Sequence, residues 1–238
     1  MSLFDDFSEQ ITGVEAISAA VIAEVCRQRG DLWAEALRAN FSELLLDIER
    51  RCYETYQREE ERVGEGVIRE FVTRAADAPV FRELNGFYLS LTQSRRSRAG
   101  STFQATIKGL FRRCGYPFEE QCVVNGKPDF LIPSEAHYRN NAPDCIIFTV
   151  KRTVRERWRQ IATEGVRGKA LFLATIDEKV TASQAAEMLE NRICLVVPAN
   201  LKQTVQAYQS APNVISFEDF FTDHLDPAMV RWRRSGVI

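Results

Sequence analysis

Short apolar segments that alternate with helical stretches constrain the fold of this chain more than any other feature. From residue 119 onward, five segments have the composition of strands: EEQCVV, KPDFLIP, DCIIFTVK, KALFLAT and ICLVVP. The stretches between and after the last three carry helical patterns: RERWRQIATEG, ASQAAEMLEN and LKQTVQAYQ. Such alternation predicts an α/β fold in which a mixed five-stranded sheet has helices on both faces.

The first ninety residues have the apolar spacing of helices instead. VEAISAAVIAEVCRQRG predicts a helix with Gly30 as its C-cap, and residues 32–63 predict one long amphipathic helix, with shorter helices after it. STFQATIKGLFRRCG predicts a helix that begins at the Ser/Thr pair and ends before Gly115. We therefore expect a helical N-terminal region at 1–90 and an α/β domain at 91–238, with a soft boundary.

Charge is distributed unevenly along the chain. The net charge of -2 gives no global sign of a polyanionic partner. However, residues 94–118 contain six basic residues and no acid, and residues 151–169 contain seven basic residues and two acids. Because a nucleic acid requires a local basic face and not a basic chain, DNA and RNA both remain open as partners.

The six cysteines are widely spread and form no CxxC pair. This pattern argues against a zinc site and against a disulfide framework, so most of them are expected to be small core residues. The opening MSLFDDFSEQ is acidic and polar, unlike a signal peptide, and the apolar runs are too short to span a bilayer. A cytoplasmic protein with no membrane partner is the expectation.

A carboxylate and a lysine mark the candidate site. Asp129 follows Pro128 at the opening of a strand, where a buried carboxylate needs a hydrogen-bond donor or a cation. The alternative for Asp129 is a turn residue that caps a hairpin. Lys151 ends the apolar run CIIFTV, and it either extends its ammonium to solvent or holds a water molecule beside a metal-bound carboxylate.

A second carboxylate, Glu164, follows 13 residues beyond Lys151 on the predicted RERWRQIATE helix. Hydrolysis of a phosphodiester at neutral pH needs a hard cation, and oxygen ligands suit Mg²⁺ best. Two carboxylates, a backbone carbonyl and water molecules would complete an octahedral site. Glu164 can contribute only if its helix folds back across the strand.

These pieces, in this order and spacing, resemble the PD-(D/E)xK nucleases. PD, then VK, then RERWRQ and a Glu 13 positions past the Lys resemble in particular the restriction endonucleases of the EcoRII and CCGG-cutting branch, whose second acid is relocated. SRRSRAG at 94–100 is similar to a stretch that opens a catalytic-domain helix in EcoRII-type enzymes. The matched segments run from residue 94 to about 164. The resemblance implies a restriction-endonuclease-like core, with residues 91–238 as the catalytic domain and residues 1–90 serving dimerisation or DNA contacts.

The resemblance also implies roles for the site residues. Asp129 and Glu164 would bind Mg²⁺ with the Val150 carbonyl as a further ligand, and Lys151 would position the attacking water. In the commonest version of this site, the second acid lies two residues before the lysine, where this chain has Thr149. Related enzymes carry an extra Glu on the first helix, where this chain has Gln104, which can orient a water molecule or a metal ligand.

Arg155, Glu156 and Arg157 correspond to the motif with which the resembling family reads CC:GG. An Arg fork fits guanine O6 and N7, and Glu accepts from the cytosine amino group. The alternative is a solvated helix start with charge pairs three or four residues apart. Trp158, next in sequence, is expected to anchor its helix in the core.

Other residues are predicted to contact the rest of the DNA. Arg95, Arg96 and Arg98 are expected on backbone phosphates, where they add affinity but little specificity. Some relatives flip the central bases onto an aromatic residue beside an arginine, and Arg29 and Trp33 could form such a pocket. The alternative that we favour places Trp33 in the core.

The function implied is that of a homodimeric type II restriction endonuclease, with a higher oligomer left open and no small-molecule cofactor. Its target would be a short palindrome of the CCNGG or CCGG type, and its cuts would leave 5′ overhangs. Two alternatives stay open. One is a repair or structure-selective nuclease with the same site, and the other is a catalytically silent DNA-recognition module, which Thr149 and Gln104 would favour.

Overall fold

A computed structural model of the protein describes residues 2–74, 79–124, 127–154 and 171–238. The helices are α1 (Leu3–Gln10), α2 (Val14–Gln28), α3 (Ala34–Ala39), α4 (Phe41–Arg74), α5 (Val80–Arg113), α6 (Glu135–Asn141), α7 (Ala182–Glu190), α8 (Ala199–Thr204), α9 (Gln206–Gln209), α10 (Phe217–Phe220) and α11 (Asp226–Arg234). A π-turn at Phe221–Leu225 joins the last two. The strands are β1 (Glu119–Glu120), β2 (Phe130–Ile132), β3 (Ile146–Val150), β4 (Leu171–Ala174), β5 (Ile193–Val197) and β6 (Val214–Ser216).

The strands form one mixed sheet in the order β1 to β6. β1, β2 and β3 pair in antiparallel fashion, whereas β3, β4, β5 and β6 are parallel neighbours. The predicted mixed sheet is confirmed, but the predicted number of five strands is wrong. The strand that the prediction lacks is β6 (Val214–Ser216).

Successive side chains of a strand point to opposite faces of the sheet, and both faces are covered. One face packs against the core of α2, α4 and α5 through Phe130, Ile132, Phe148, Phe172 and Ala174. On the opposite face, Leu131, Ile147, Leu173 and Leu195 share a core with Met188 of α7. Helices therefore flank the sheet on both sides, as the alternation of segments predicts.

The helical region differs from the prediction in where its helices begin and end. The expected single helix over residues 32–63 is wrong, because the backbone leaves the helical conformation at Asn40 (φ -120°, ψ 22°), where α3 ends and after which α4 begins. The expected helix start at residue 101 is also wrong, since α5 begins at Val80 and runs without a break through Arg113. Long helices place the core of this region directly on the sheet.

Two glycines end helices where the sequence predicts it. Gly30 and Gly115 have positive φ values of 81° and 76°, a backbone conformation that favours glycine just past a helix end. The proposed boundary at residue 90 falls inside α5 and remains a prediction. Across the described ranges, no helix is both long and apolar enough for a membrane span.

Candidate functional site

The sheet brings Asp129 and Lys151 together although they are 22 residues apart. Asp129 directly precedes β2, and β2 pairs with β3 so that Phe130 lies opposite Phe148. This register puts Asp129 beside the carboxyl end of β3. The Lys151 Nζ lies 3.2 Å from the Asp129 Oδ2, which makes an ion pair.

Two further groups on β3 hold the same carboxylate oxygen. The Thr149 hydroxyl and the Val150 backbone N–H each donate to Asp129 Oδ2 at 2.7 Å. Strand alternation explains the arrangement, because Thr149 and Lys151 point to one face while the Val150 amide lies at the strand edge. Within the described residues, every hydrogen bond to this carboxylate goes to Oδ2 and none goes to Oδ1.

The site remains open to solvent and to ligands. The Lys151 side chain is 35% exposed and the Asp129 side chain is 17% exposed. Thr149, by contrast, is buried at 3% exposure. The buried Thr149 hydroxyl therefore fixes the Asp129 carboxylate from the protein interior, while the Lys151 ammonium reaches water.

The chain that follows Lys151 is anchored to the neighbouring strand. The Lys151 N–H donates to the Ala174 carbonyl at 3.0 Å, which extends the ladder between β3 and β4. The Thr175 hydroxyl donates to the Arg152 carbonyl at 3.2 Å, and the Val154 N–H donates to the Asp177 carboxylate at 2.9 Å. These hydrogen bonds fix the segment that leads into the predicted RERWRQIATE helix, which carries the residues expected to read bases.

Sequence reasoning missed a buried carboxylate on the other side of this segment. Glu49 of α4 accepts from Arg152 Nε at 3.4 Å and from the Thr106 hydroxyl at 3.2 Å. Its side chain is only 6% exposed, and burial raises its pKa above the ordinary value, against the opposing effects of Arg152 and Thr106. Nothing in the sequence distinguishes Glu49 from the solvated acids around it, because its partner is 103 residues away.

Several predicted site residues lie outside the described residues: Arg155, Glu156, Arg157, Trp158 and Glu164. Their roles remain predictions. Gln104 is partly buried on α5, two residues before Thr106. Its role at the site is likewise a prediction.

One other group of side chains in the described ranges could hold a metal ion. It consists of Glu119, Cys122 and Glu135, whose ligand atoms lie within 4.8 Å of one another, and it does not include Asp129. Glu119 Oε2 accepts from the Glu135 N–H at 2.8 Å and from the Cys122 thiol at 3.7 Å. These hydrogen bonds explain why the three side chains lie close together.

Five of the six cysteines are buried, as predicted.

The arginines expected on DNA phosphates lie on α5. Arg95 forms a bidentate pair with Glu60, and Arg98 donates to the Thr12 carbonyl while its guanidinium covers the Tyr56 ring at 4.5 Å. Arg96 is exposed. Part of the local positive charge is therefore offset within the fold, and contact with DNA remains a prediction.

Arg29 and Trp33 lie at the turn between α2 and α3. Arg29 pairs with Glu43 at 2.8 Å. The expectation that Trp33 belongs to the core is wrong, since it is 72% exposed at the N-cap of α3. Leu37, one helical turn later, is 1% exposed and takes the core position instead.

Comparison with known proteins agrees with this geometry. A family described as EcoRII C terminal matches residues 56–221, more than half of the chain. The chain belongs to the EcoRII C-terminal family. The resemblance drawn from the motifs is thereby confirmed, and the match begins well before residue 94, within the helical region.

Two relatives of this EcoRII C-terminal chain are type II restriction enzymes. EcoRII of Escherichia coli is 33% identical over 172 residues, which are 67% of this chain and 39% of EcoRII. SsoII of Shigella sonnei is 28% identical over 152 residues, which are 58% of this chain and 48% of SsoII. The aligned part is thus less than half the length of either relative.

Two solved structures share the fold of this EcoRII C-terminal chain. Metal-depleted Ecl18kI in complex with uncleaved DNA has a TM-score of 0.82 and 21% identity, over 97% of this chain and 83% of that one. The PspGI–substrate DNA complex has a TM-score of 0.71 and 23% identity, over 92% of this chain and 94% of that one. The predicted fold class is confirmed, including the helical N-terminal region.

Proposed function

We propose that this chain is a type II restriction endonuclease. It makes Mg²⁺-dependent double-strand cuts at a short CCNGG- or CCGG-like palindrome and leaves 5′ overhangs. The observation that carries the proposal is the distance of 3.2 Å between the Lys151 ammonium and the Asp129 carboxylate at the end of β3. Membership of the EcoRII C-terminal family supports it.

The donor groups at this site fit a hard divalent cation. Asp129 offers Oδ1, which accepts no hydrogen bond from a described residue. The Val150 carbonyl points to the same strand edge as the Val150 N–H, which donates to Asp129. Glu164 would supply the second carboxylate, and an all-oxygen set of this kind suits Mg²⁺. When bound, the ion would offset charge on the phosphate and make a water molecule more acidic.

Lys151 has a separate task in this proposal. Its ammonium has three N–H donors, and the bond to Asp129 uses one of them. The others can orient a water molecule toward the phosphorus and donate to a phosphate oxygen. The 35% exposure of the side chain leaves room for both. Products would carry 5′-phosphate and 3′-hydroxyl ends.

Recognition requires two copies of the chain. A palindrome presents two equivalent phosphates that are related by a two-fold axis, so a homodimer matches its symmetry. In each subunit, one CC:GG half-site would be read by Arg155, Glu156 and Arg157. Ecl18kI and PspGI, which share the fold, were solved in complex with DNA.

Incubation with plasmid DNA and Mg²⁺ tests the proposal directly. The wild-type protein should give discrete fragments whose sequenced ends contain the same short palindrome. Lys151→Ala and Asp129→Ala should give no fragments, although Lys151→Ala should still bind the same site when Ca²⁺ replaces Mg²⁺ and Asp129→Ala should bind it without a divalent ion. Site-specific binding is the control that these variants are folded.

Other outcomes would contradict the proposal in distinguishable ways. Cutting that ignores the base sequence of a duplex would indicate a repair or structure-selective nuclease. Retarded but intact plasmid would indicate a silent recognition module. Cleavage by either variant would show that the catalytic site has been placed on the wrong residues.

A further inference from the structure

We propose that the Thr149 hydroxyl is a positioning group that decides which oxygen of Asp129 binds the divalent cation. This inference rests on the proposed function, because it requires Asp129 to be a metal ligand. Thr149 itself touches neither DNA nor metal. It acts through the carboxylate beside it.

The hydrogen bonds around Asp129 divide its two oxygens into different roles. Oδ2 accepts from the Thr149 hydroxyl and the Val150 N–H at 2.7 Å, and from the Lys151 ammonium at 3.2 Å. A carboxylate oxygen has about two lone-pair sites, so three donors fill the capacity of Oδ2. No donor of the described residues reaches Oδ1, so Oδ1 is the oxygen with lone pairs to give to a cation.

Thr149 suits this task because it is buried and stiff. It is 3% exposed, so water does not compete well for its hydroxyl. As a β-branched residue on a strand, it has few χ1 rotamers. The hydroxyl therefore holds the Asp129 carboxyl group in one rotation, before any ion arrives.

The same strand position would do something different with an acidic side chain. Thr149 and Lys151 share a face of β3, so a carboxylate at 149 would lie next to the Asp129 carboxylate. Two carboxylates in contact repel unless a cation lies between them. With Thr149 in place, the position donates a hydrogen bond to the metal ligand and supplies no ligand of its own.

Calcium-dependent DNA binding distinguishes a positioning role from a purely structural one. The assay is fluorescence anisotropy of a labelled duplex that contains the site read from cleavage ends, with Ca²⁺ titrated into the protein–DNA mixture. Thr149→Val removes the donor at nearly constant volume, and Thr149→Ser keeps it. Asp129→Asn reports the loss of the metal ligand itself.

We expect Thr149→Val to raise the Ca²⁺ concentration for half-maximal binding by about 10–100-fold, the range for lost support of a metal ligand. Thr149→Ser should stay within about threefold of wild type, because it keeps the donor. Binding without Ca²⁺ and the melting temperature should differ little among wild type, Thr149→Val and Thr149→Ser. If Thr149→Val does not fold, Thr149→Ala takes its place.

The outcomes separate the two proposals. If Asp129→Asn removes the Ca²⁺ effect but Thr149→Val behaves like wild type, the positioning role is wrong and the metal site stands. Equal shifts for Thr149→Val and Thr149→Ser would also overturn it, since the hydroxyl would not be the cause. If wild type and Asp129→Asn respond equally to Ca²⁺, Asp129 is not a metal ligand and both proposals fail.

Discussion

Removal of the Arg152 side chain should destabilise the protein in a strongly pH-dependent way. Arg152 is the cation that faces Glu49, whose side chain is 6% exposed, across 3.4 Å. In Arg152→Ala, this carboxylate keeps only the Thr106 hydroxyl as a hydrogen-bond partner among the described residues. The variant therefore tests whether the pair holds α4 to the segment after Lys151.

The expected cost follows from the burial of each partner. Loss of one member of a fully buried pair costs about 3–5 kcal/mol. Arg152 is 41% exposed, so water screens the pair and the cost falls to about 1–2 kcal/mol. For a chain of 238 residues, this corresponds to a decrease of about 2–8 °C in melting temperature.

The sign of the pH dependence is fixed by the direction of the Glu49 pKa. Burial raises the pKa of Glu49 above its ordinary value of 4.5, and Arg152 opposes this rise. A carboxyl group with a raised folded-state pKa binds more protons in the native state, so its contribution to stability falls as the pH rises above 4.5. Without Arg152 the pKa rises further. The difference from wild type should therefore be small in acid and grow toward neutral pH.

Thermal unfolding followed by circular dichroism at several pH values measures this effect. The matched control is the cycle with Glu49→Gln, in which Arg152→Ala should cost little and show no pH dependence. The reasoning would be refuted by a melting-temperature difference that is the same in acid and at neutral pH. An equal cost of Arg152→Ala with Glu49 and with Gln at that position would refute it as well.

Two further predictions concern recognition of DNA. Glu156→Ala should relax or abolish site selection without unfolding, as measured by fragment patterns beside melting curves; unchanged sites and rates would show that this residue does not read bases. Trp33→Ala should cost under about 0.5 kcal/mol, because the side chain is 72% exposed. If Trp33 holds a flipped base, the same variant should also reduce the fluorescence change of 2-aminopurine placed at the central base pair of the DNA site. An unchanged signal would exclude Trp33 from a base-flipping pocket.

The sequence alone determined the features that depend on local order. Alternating apolar segments predicted a mixed sheet with helices on both faces, and Gly30 and Gly115 predicted two helix ends. These predictions succeed because strand alternation and a positive φ are properties of a few adjacent residues. The order of PD, VK and a later Glu likewise predicted the family.

The length of helices and the exposure of single side chains could not be read in this way. A helical pattern continues past Asn40, yet the backbone leaves the helical conformation there and α3 ends. Trp33 is apolar and was expected in the core, but the turn between α2 and α3 points it to solvent while Leu37 is buried. Residue type gives only an average tendency, and the packing of neighbouring helices sets the result.

The tertiary structure alone decided which charged and polar groups meet. In the sequence, Thr149 occupies the position where the commonest version of this site has its second acid. The sheet register shows instead that its hydroxyl donates a hydrogen bond to Asp129 at 2.7 Å. Glu49 accepts a hydrogen bond from Arg152, 103 residues later in the chain, because α4 packs on the face of the sheet toward which Arg152 points. The sequence determined the periodicities and the motif, since these are local. Pairings between distant residues were decided by the register of β2 on β3 and the docking of α4, because contact in space depends on how the whole chain packs.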